Sequence, residues 1–243
     1  GGDGAYCHID QQNPNIQITQ YTNNNVYRST NGGISFPSIV SEGTGHFINP
    51  SEYDSQNKIY YAASDDDLLK RITNMDAAFV NSDIPISVGG AMISTLKMSP
   101  YNDVLFLGIE NGRIYKVTNP GSATPILTRL DNGGTPITTV GWVSSIDVGA
   151  NDNHLLVTYS NYGVVSVWET VNGGATWLNK EGNLPDMPIR SALYNPSNRD
   201  QVLVATEVGV WSTDNFQPGM AAAPVWGPSN TGLAHTRCDM LKY

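Results

Sequence analysis

Several turns in this sequence carry side chains that can bind a ligand or exchange a proton. Carboxylates stand at Asp3, Asp66 and Glu207, an amide at Asn24, and aromatic rings at Trp142 and Tyr162. Carboxylates and amides hydrogen-bond hydroxyl groups, and aromatic rings offer flat apolar faces with polar rims. This combination predicts recognition of a glycan or a protein. The alternative is a set of ordinary solvated loops, with Trp142 and Tyr162 packed against neighbouring elements.

Metal and cofactor chemistry has less support from the sequence. The histidines fall in unrelated contexts, at His8, His46, His154 and His235. Cys7 and Cys238 stand near opposite ends, outside any CxxC or Cys/His cluster of the kind that binds zinc. They are either two free thiols or one bridge that ties the ends together. The acidic run 65–67 lacks the spaced ligands of a calcium loop. We therefore predict no metal and no cofactor.

The candidate residues stand in turns of a repeat that runs through the chain. Apolar runs bounded by Gly or Asn turns recur as hairpins, at 16–21 with 26–30, 58–63 with 68–72, 104–109 with 113–117, 154–159 with 164–170 and 201–206 with 210–213. Asx residues that follow the hairpins at one equivalent turn are Asn31, Asn74, Asn119, Asn172 and Asp214, spaced by 43, 45, 53 and 42 residues. A period in the forties with several strands per unit is typical of β-propeller blades.

The repeat predicts an all-β fold, a β-propeller with four-stranded antiparallel blades. We place the blades at 1–41, 42–88, 89–137, 138–184 and 185–231, with the start of a further blade at 232–243. Turns between first and second strands are predicted at 10–15, 99–103, 149–153 and 195–200, with a looser copy at 47–50. Because a lone first strand cannot bury its apolar face, we expect this single propeller segment to belong to a larger ring. The alternative is a ring closed from these five blades alone.

Two of the turns that follow the hairpins share a tighter motif. The first contains Ser29, Asn31, Gly33 and Phe36, and the second contains Thr170, Asn172, Gly174 and Trp177. The Asx side chain can bond the main chain of its own turn, Gly tolerates positive φ, and the aromatic ring packs over the hairpin. Residues 212–216 begin a third copy, but an insertion separates them from Val225 and Trp226. The residues of the two full copies are predicted to have a structural role.

These motifs resemble the Asp-box (bacterial neuraminidase, or BNR) repeat, S/T-x-D-x-G-x-T-W, with Asn in place of the usual Asp. The wider pattern is similar to sortilin/Vps10-like and xyloglucanase-like propellers, and especially to large secreted Bacteroidetes-type proteins. The resemblance covers nearly the whole chain. It implies the fold but little about activity, because sialidases, xyloglucanases, sortilins and photosystem assembly factors share it. It also implies that ligands meet the second-to-third-strand turns and the connections between blades, away from the boxes.

The resemblance raises two enzyme hypotheses. A sialidase-like site would need an arginine cluster, but arginine is scarce here and no Arg-Ile-Pro start motif exists. A xyloglucanase-like inverting site would need two carboxylates, one acid and one base. Thr22 occupies the position where the resemblance expects the base, while Asp3 lies in a Gly-Gly-Asp-Gly loop similar to that of the acid. Asp3 is therefore a candidate acid without its partner.

The charge balance narrows the classes of partner. A net charge of −9 and a pI near 4.7 argue against nucleic-acid binding and against docking on an anionic membrane. The chain also lacks an apolar run of the roughly 20 residues that a spanning helix needs. Few lysines with many Asn, Ser, Thr and Gly residues suit an extracellular or cell-surface protein. We predict a non-catalytic module that recognises a glycan or protein, or a scaffold attached to further blades or domains. The alternative is a xyloglucanase-like glycoside hydrolase acting on β-glucans.

Overall fold

The computed structural model describes residues 3–243, and their strands form five four-stranded antiparallel sheets. Blade 1 contains β1 (Cys7–Ile9), β2 (Gln17–Gln20), β3 (Asn25–Ser29) and β4 (Ser38–Ser41). Blade 2 contains β5 (Ser51–Asp54), β6 (Ile59–Ala63), β7 (Leu68–Thr73) and β8 (Val80–Pro85). Blade 3 contains β9 (Ile93–Met98), β10 (Val104–Ile109), β11 (Ile114–Thr118) and β12 (Ile126–Arg129).

The last two sheets have the same plan. Blade 4 contains β13 (Val143–Val148), β14 (Leu155–Tyr159), β15 (Val167–Thr170) and β16 (Leu178–Asn179). Blade 5 contains β17 (Ile189–Asn195), β18 (Asn198–Thr206), β19 (Gly209–Thr213) and β20 (Gly227–Pro228). Every strand pairs with its predecessor in its own sheet, so each blade is a meander. The predicted all-β fold of four-stranded blades is confirmed. Residues 1–2, predicted to begin blade 1, lie outside the described residues.

The second strands of the three middle blades are fully buried. All residues of β6, β10 and β14 are buried. Such strands read as continuous apolar runs, because neighbouring blades cover both faces of the sheet. This is why the hairpins were recognisable in the sequence: β10 and β11, for example, occupy 104–109 and 114–118, against the predicted 104–109 and 113–117.

Apolar clusters join each blade to the next. Ile18 and Val26 of blade 1 pack with Tyr60 of blade 2, and Leu69 of blade 2 packs with Leu107 of blade 3. The cluster between blades 3 and 4 includes Phe106, Val157 and Trp177. The cluster between blades 4 and 5 includes Leu156, Val167, Ile189, Val204 and Trp226. In the described residues, no such cluster joins blade 5 to blade 1.

The meander defines two faces of the propeller. Turns between second and third strands lie at the same end as the connections between blades, because consecutive strands are antiparallel. We call this end the top face; its turns are 21–24, 64–67, 110–113, 160–166 and 207–208, and its connections are 42–50, 86–92, 130–142 and 180–188. The turns between first and second strands and between third and fourth strands lie at the bottom face.

One sequence prediction about turns is wrong. Residues 47–50 lie in the connection before β5, whereas the first-to-second-strand turn of blade 2 follows Asp54. The Asp54 carboxylate accepts bonds from the backbone N–H groups of Gln56 (2.8 Å) and Asn57 (3.0 Å), which closes that turn. Residues 232–243 contain no strand. That segment makes isolated contacts with blade 5 but has no second strand beside it to complete a ladder.

The two full boxes have the same hydrogen bonds at the bottom face. The Ser29 hydroxyl donates to Asn31 Oδ1 (2.8 Å), and Gly33 N–H donates to the Ser29 hydroxyl (2.9 Å). Thr170 and Asn172 repeat the first bond at 3.0 Å. In the second box the aromatic residue also joins two blades, since Trp177 Nε1 donates to Leu130 O at 2.9 Å. The Phe36 ring has no N–H group that could form such a bond, and Phe36 is 38% exposed.

The third box is displaced by one residue from the predicted position. Thr213 donates to Asn215 Oδ1 (2.7 Å), so Asn215, and not Asp214, is equivalent to Asn172. Asn215 Oδ1 then accepts from Val225 N (2.9 Å), across an inserted segment at 216–224. Trp226 follows and donates to Lys180 O at 3.1 Å, as Trp177 donates to Leu130. The insertion separates the two halves of the motif and hides this correspondence in the sequence.

Candidate binding face and central channel

The structure brings Trp142 and Tyr162 together on the top face. Trp142 ends the connection before β13, and Tyr162 lies in the β14–β15 turn. Trp142 N–H donates to Asn161 Oδ1 (2.7 Å), and Ser160 N–H donates to Trp142 O (3.1 Å). These bonds fasten the two segments to each other. Trp142 remains 36% exposed and Tyr162 65% exposed, so both rings are open to solvent.

Further apolar side chains extend this surface. The His46 ring lies 5.0 Å from the Trp142 ring, and its Nε2 is bonded to Ile93 O at 2.9 Å. Phe47 and Val140, on the same two connections, are 57% and 78% exposed. We call His46, Phe47, Val140, Trp142 and Tyr162 the aromatic patch. It combines residues from three separate segments of the chain.

A close backbone contact sets the position of this patch. Gly112 has a positive φ of 89°, and a Cβ at that position would come within 3.1 Å of Gly141 N. Any other residue would push the β10–β11 turn away from the connection that carries Trp142. Tyr159 further holds the turn, because its hydroxyl donates to Gly112 O at 2.8 Å.

Carboxylates surround the aromatic patch. Asp186 accepts from Gly163 N–H (2.6 Å), next to Tyr162, and Glu110 begins the turn that packs on Gly141. Burial raises the pKa of Glu181. A backbone hydrogen bond from Ser166 lowers this pKa, and the negative charge of Asp186 raises it. In the part of the chain that the structure describes, none of Glu110, Glu181 and Asp186 forms an ion pair.

The other predicted ligand residues lie on the top face but on other blades. Asp3 is exposed just before β1, and Asp66 is exposed in the β6–β7 turn. Glu207 is engaged by Arg190, whose Nε lies 2.8 Å from Glu207 Oε1. Asn24 is fully buried, and its amide nitrogen donates to Ala63 O at 2.7 Å, which joins blades 1 and 2. The structure thus gives Asn24 protein partners in place of an exposed position.

A cavity of about 840 Å³ opens among the first strands of the blades. Glu52, Lys97 and Asp147 stand in the first strands of three successive blades, opposite Tyr61, Phe106 and Leu156 of the second strands. Lys97 Nζ lies 3.2 Å from Asp147 Oδ1, and Lys242 Nζ from the C-terminal segment lies 3.9 Å from Glu52 Oε1. Burial raises the pKa of Glu52, opposed by the charges of these lysines.

The sequence analysis did not select these channel residues. Glu52, Lys97 and Asp147 recur at intervals of 45 and 50 residues, which match the blade repeat. Aligning the first strands, in addition to the hairpins, would have found them.

A second polar cluster is buried between blades 4 and 5. Glu169 Oε1 lies 2.9 Å from His154 Nε2 and 3.0 Å from the Tyr194 hydroxyl. His154 Nδ1 accepts from Ala150 N–H, so the proton of the neutral ring is on Nε2 and points to Glu169. Lys180 Nζ lies 3.6 Å from Glu169 Oε2 and donates to the carbonyls of the insertion, Phe216 (2.8 Å), Gln217 (2.9 Å) and Met220 (2.8 Å).

This second cluster is fully enclosed. Glu169 and Lys180 are both 0% exposed, and burial lowers the pKa of Lys180 while Glu169 raises it. Its polar groups bond one another and the backbone, so its role is to hold the insertion against blade 4. Across residues 3–243, no group of three His, Cys, Asp or Glu side chains is arranged to hold a metal ion. Nor does any helix among them have the length and apolarity to cross a bilayer.

Comparison with known proteins supports the fold. No protein-family profile and no curated protein sequence matches the chain. The GH74 xyloglucanase from Xanthomonas campestris superposes with a TM-score of 0.69 at 12% identity, over 97% of this chain and 39% of that protein. An ancestral GH74 enzyme gives 0.70 at 15% identity, over 93% and 33% of the two chains. YCF48 from Cyanidioschyzon merolae gives 0.61 at 12% identity, over 92% and 70%.

These similarities establish a β-propeller and go no further. Identities of 12–15% show a shared fold and carry no activity with them. This chain spans about two fifths of the Xanthomonas xyloglucanase and one third of the ancestral enzyme.

Proposed function

We propose that this propeller is a non-catalytic recognition module that binds a glycan or a protein through its top face. The observation that carries the proposal is the aromatic patch, in which Trp142 and Tyr162 are both exposed and their chain segments are hydrogen-bonded to each other. Exposed aromatic residues cost little conformational entropy on binding and bury a large area, so they are common anchors of binding surfaces.

The patch is also preorganised. Asn161 bonds the backbone of Trp142, and Asp186 bonds the backbone next to Tyr162. Loops that are already ordered lose less freedom when a ligand binds, which favours affinity. In such folds a rigid sheet scaffold usually carries the functional loops at one end.

Two further parts of the proposal accompany this function. We assign the turns at Asn31, Asn172 and Asn215 to the Asp-box type on their shared hydrogen bonds, and we give them a purely structural role. We also propose an extracellular or cell-surface location, in keeping with a composition rich in Asn and Gly and poor in Lys.

The test is a binding screen with a matched variant. The wild-type protein and the double variant Trp142→Ala/Tyr162→Ala are applied to a printed glycan array and to an array of defined peptides. We expect a set of ligands bound by the wild type and lost by the double variant, with near-UV circular dichroism showing that both proteins fold. If the double variant keeps every ligand of the wild type, or the wild type binds none, the top face is not a recognition surface.

A glycoside hydrolase is the second candidate, because two carboxylates face the central channel. Glu52 has a raised pKa, as a general acid requires, and Asp147 lies in the first strand two blades further on. Each is close to a lysine, however, and Asp3 lies apart from both. Assaying β-glucan hydrolysis by the wild type and by Glu52→Gln and Asp3→Asn decides between the candidates. Hydrolysis abolished by either variant would replace the recognition proposal.

A further inference from the structure

Resting on the recognition function just proposed, we infer that the partner of the aromatic patch is a protein segment carrying lysine or arginine side chains together with apolar ones. The segment stacks its cationic groups on Trp142 and Tyr162 and pairs them with Glu110, Glu181 and Asp186. The inference names the class of partner that this surface fits, and three features of the surface carry it.

The first feature is the pair of exposed rings. A guanidinium or ammonium group placed over the face of Trp or Tyr is attracted by the ring quadrupole, with Trp the strongest of the aromatic residues. Trp142 and Tyr162 are held to adjoining segments, so one extended peptide can contact both. Phe47, next in the chain to His46, and Val140, two residues before Trp142, are exposed and offer area for apolar side chains of the partner.

The second feature is uncompensated negative charge beside those rings. Glu181 and Asp186 are close enough for the charge of one to raise the pKa of the other, and no cation pairs with either among residues 3–243. Like charges held together without a counter-ion repel each other, and a bound cation relieves this repulsion.

The third feature is the distribution of charge over the whole top face. Its turns and connections carry exposed or half-buried carboxylates without an ion-pair partner among residues 3–243 at Asp65, Asp66, Glu110, Glu181 and Asp186, whereas Glu42 and Glu207 pair with Lys70 and Arg190. The arginines near them are already engaged: Arg190 binds Glu207, and Arg113 donates to Val88 O at 3.1 Å. Such a surface attracts basic partners at long range and repels acidic ones. A neutral glycan would stack on the rings but would not use this charge.

The experiment compares three probes on the full chain. They are a fluorescent peptide of Lys, Arg, Leu and Gly, a twin peptide with Glu in place of Lys and Arg, and cellohexaose as a neutral glycan. Binding is measured by fluorescence anisotropy, with competition for the glycan, at about 0.05 M and about 0.5 M NaCl. The variants are Trp142→Ala and the charge pair Glu110→Gln/Asp186→Asn. Asp76→Asn/Asp214→Asn removes equal charge from exposed bottom-face residues and serves as the control.

We expect the basic peptide alone to bind the wild type, and salt to weaken it. Trp142→Ala should weaken it about tenfold, the top-face charge pair about threefold to tenfold, and the control pair less than about twofold. Cellohexaose binding that Trp142→Ala abolishes, without basic-peptide binding, would overturn the cationic partner and leave the recognition function standing. Basic-peptide binding that falls equally in the control pair, or not at all in Trp142→Ala, would overturn the inference as non-specific attraction. The array screen tests the recognition function separately.

Discussion

The junction between blades 4 and 5 and the junction between blades 5 and 1 are built very differently. The first combines an apolar cluster around Leu156 and Ile189 with the buried pair of Glu169 and Lys180. At the second, no apolar cluster forms among residues 3–243. The C-terminal segment bonds blade 5, where Cys238 N–H donates to Thr206 O (3.0 Å) and Leu241 N–H donates to the Ser191 hydroxyl (3.3 Å). On the side of blade 1, burial and then the charge of Lys242 lower the pKa of His8 in β1.

The difference shows that stability is unevenly distributed around the ring. A buried charge with several hydrogen bonds cannot be removed without leaving its partners unsatisfied, so the first junction depends on each member of the network. The second has few bonds, and Cys238 and Leu241, which make them, are only half-buried, so it opens at a smaller free-energy cost. A propeller made of similar repeats thus acquires one strong and one weak junction from local changes in sequence.

The strongest test removes the lysine at the tight junction. Lys180→Met keeps most of the side-chain volume but leaves Glu169 without a counter-charge and the carbonyls of Phe216, Gln217 and Met220 without a donor. We expect the free energy of unfolding in urea to fall by about 3–5 kcal/mol. Lys116→Met, on the partly exposed face of β11, should change it by less than about 0.5 kcal/mol. A stable Lys180→Met protein would show that the network is dispensable.

A pH titration tests how His8, which lies in β1, contributes to the free energy of unfolding. Burial, and then the charge of Lys242, lowers the pKa of His8 to about 4, below its usual 6.5. The unfolded chain therefore binds a proton at His8 before the folded chain does, so stability is complete above about pH 6.5 and falls as the pH drops toward 4. We expect a loss of roughly 2–3 kcal/mol across that window, measured by urea unfolding at stepped pH. The loss should shrink in His8→Asn. An unchanged slope in that variant would refute the assignment.

The Asp-box turns provide an intermediate effect. Thr170→Val keeps the shape of the side chain but deletes the hydroxyl that bonds Asn172 Oδ1 and Gly174 N–H. We expect a loss of about 1–2 kcal/mol in the free energy of unfolding, and less than about 0.5 kcal/mol for Thr170→Ser, which keeps the hydroxyl. Equal losses in the two variants would mean that the methyl group, and not the turn bonds, stabilises the box.

The smallest effect is expected from removing the C-terminal segment. Deletion of 236–243 removes its backbone hydrogen bonds to Thr206 and Ser191 and the ion pair of the exposed Lys242 with the half-buried Glu52. The free energy of unfolding should fall by less than about 1 kcal/mol. In the intact chain, hydrogen exchange at Cys238 and Leu241 should be much faster than in β14. A loss as large as that of Lys180→Met would place the C-terminal segment among the main supports of the ring.

The sequence was most informative where a pattern repeats within one blade. The hairpin strands were predicted to within a few residues, because apolar runs and Asn/Gly turns are local signals that each blade displays. The displaced third box shows the limit of this approach. Six additional residues between Asn215 and Val225, compared with the spacing from Asn172 to Thr176, broke the local pattern and shifted the predicted equivalence to Asp214.

The candidate site was predicted only in part, for a related reason. Trp142 and Tyr162 were selected for their residue types and predicted loops, but nothing in their spacing says that Asn161 joins their segments. Asn24 had equally suitable chemistry, and yet the packing of blade 1 on blade 2 buries it. Whether a polar turn residue is exposed depends on the neighbouring blade, which for Asn24 lies 39 residues away in the chain at Ala63.

The sequence by itself determined that this protein is a β-propeller of four-stranded blades, because strand and turn signals act over a few residues and recur with the blade. Only the tertiary structure decided which side chains share a surface. The grouping of Trp142 and Tyr162 with Glu181 and Asp186, and the burial of Lys180 under an inserted loop, arise from contacts between segments about 20 to 40 residues apart. Such contacts follow from how sheets pack around the central channel, and no local pattern encodes them.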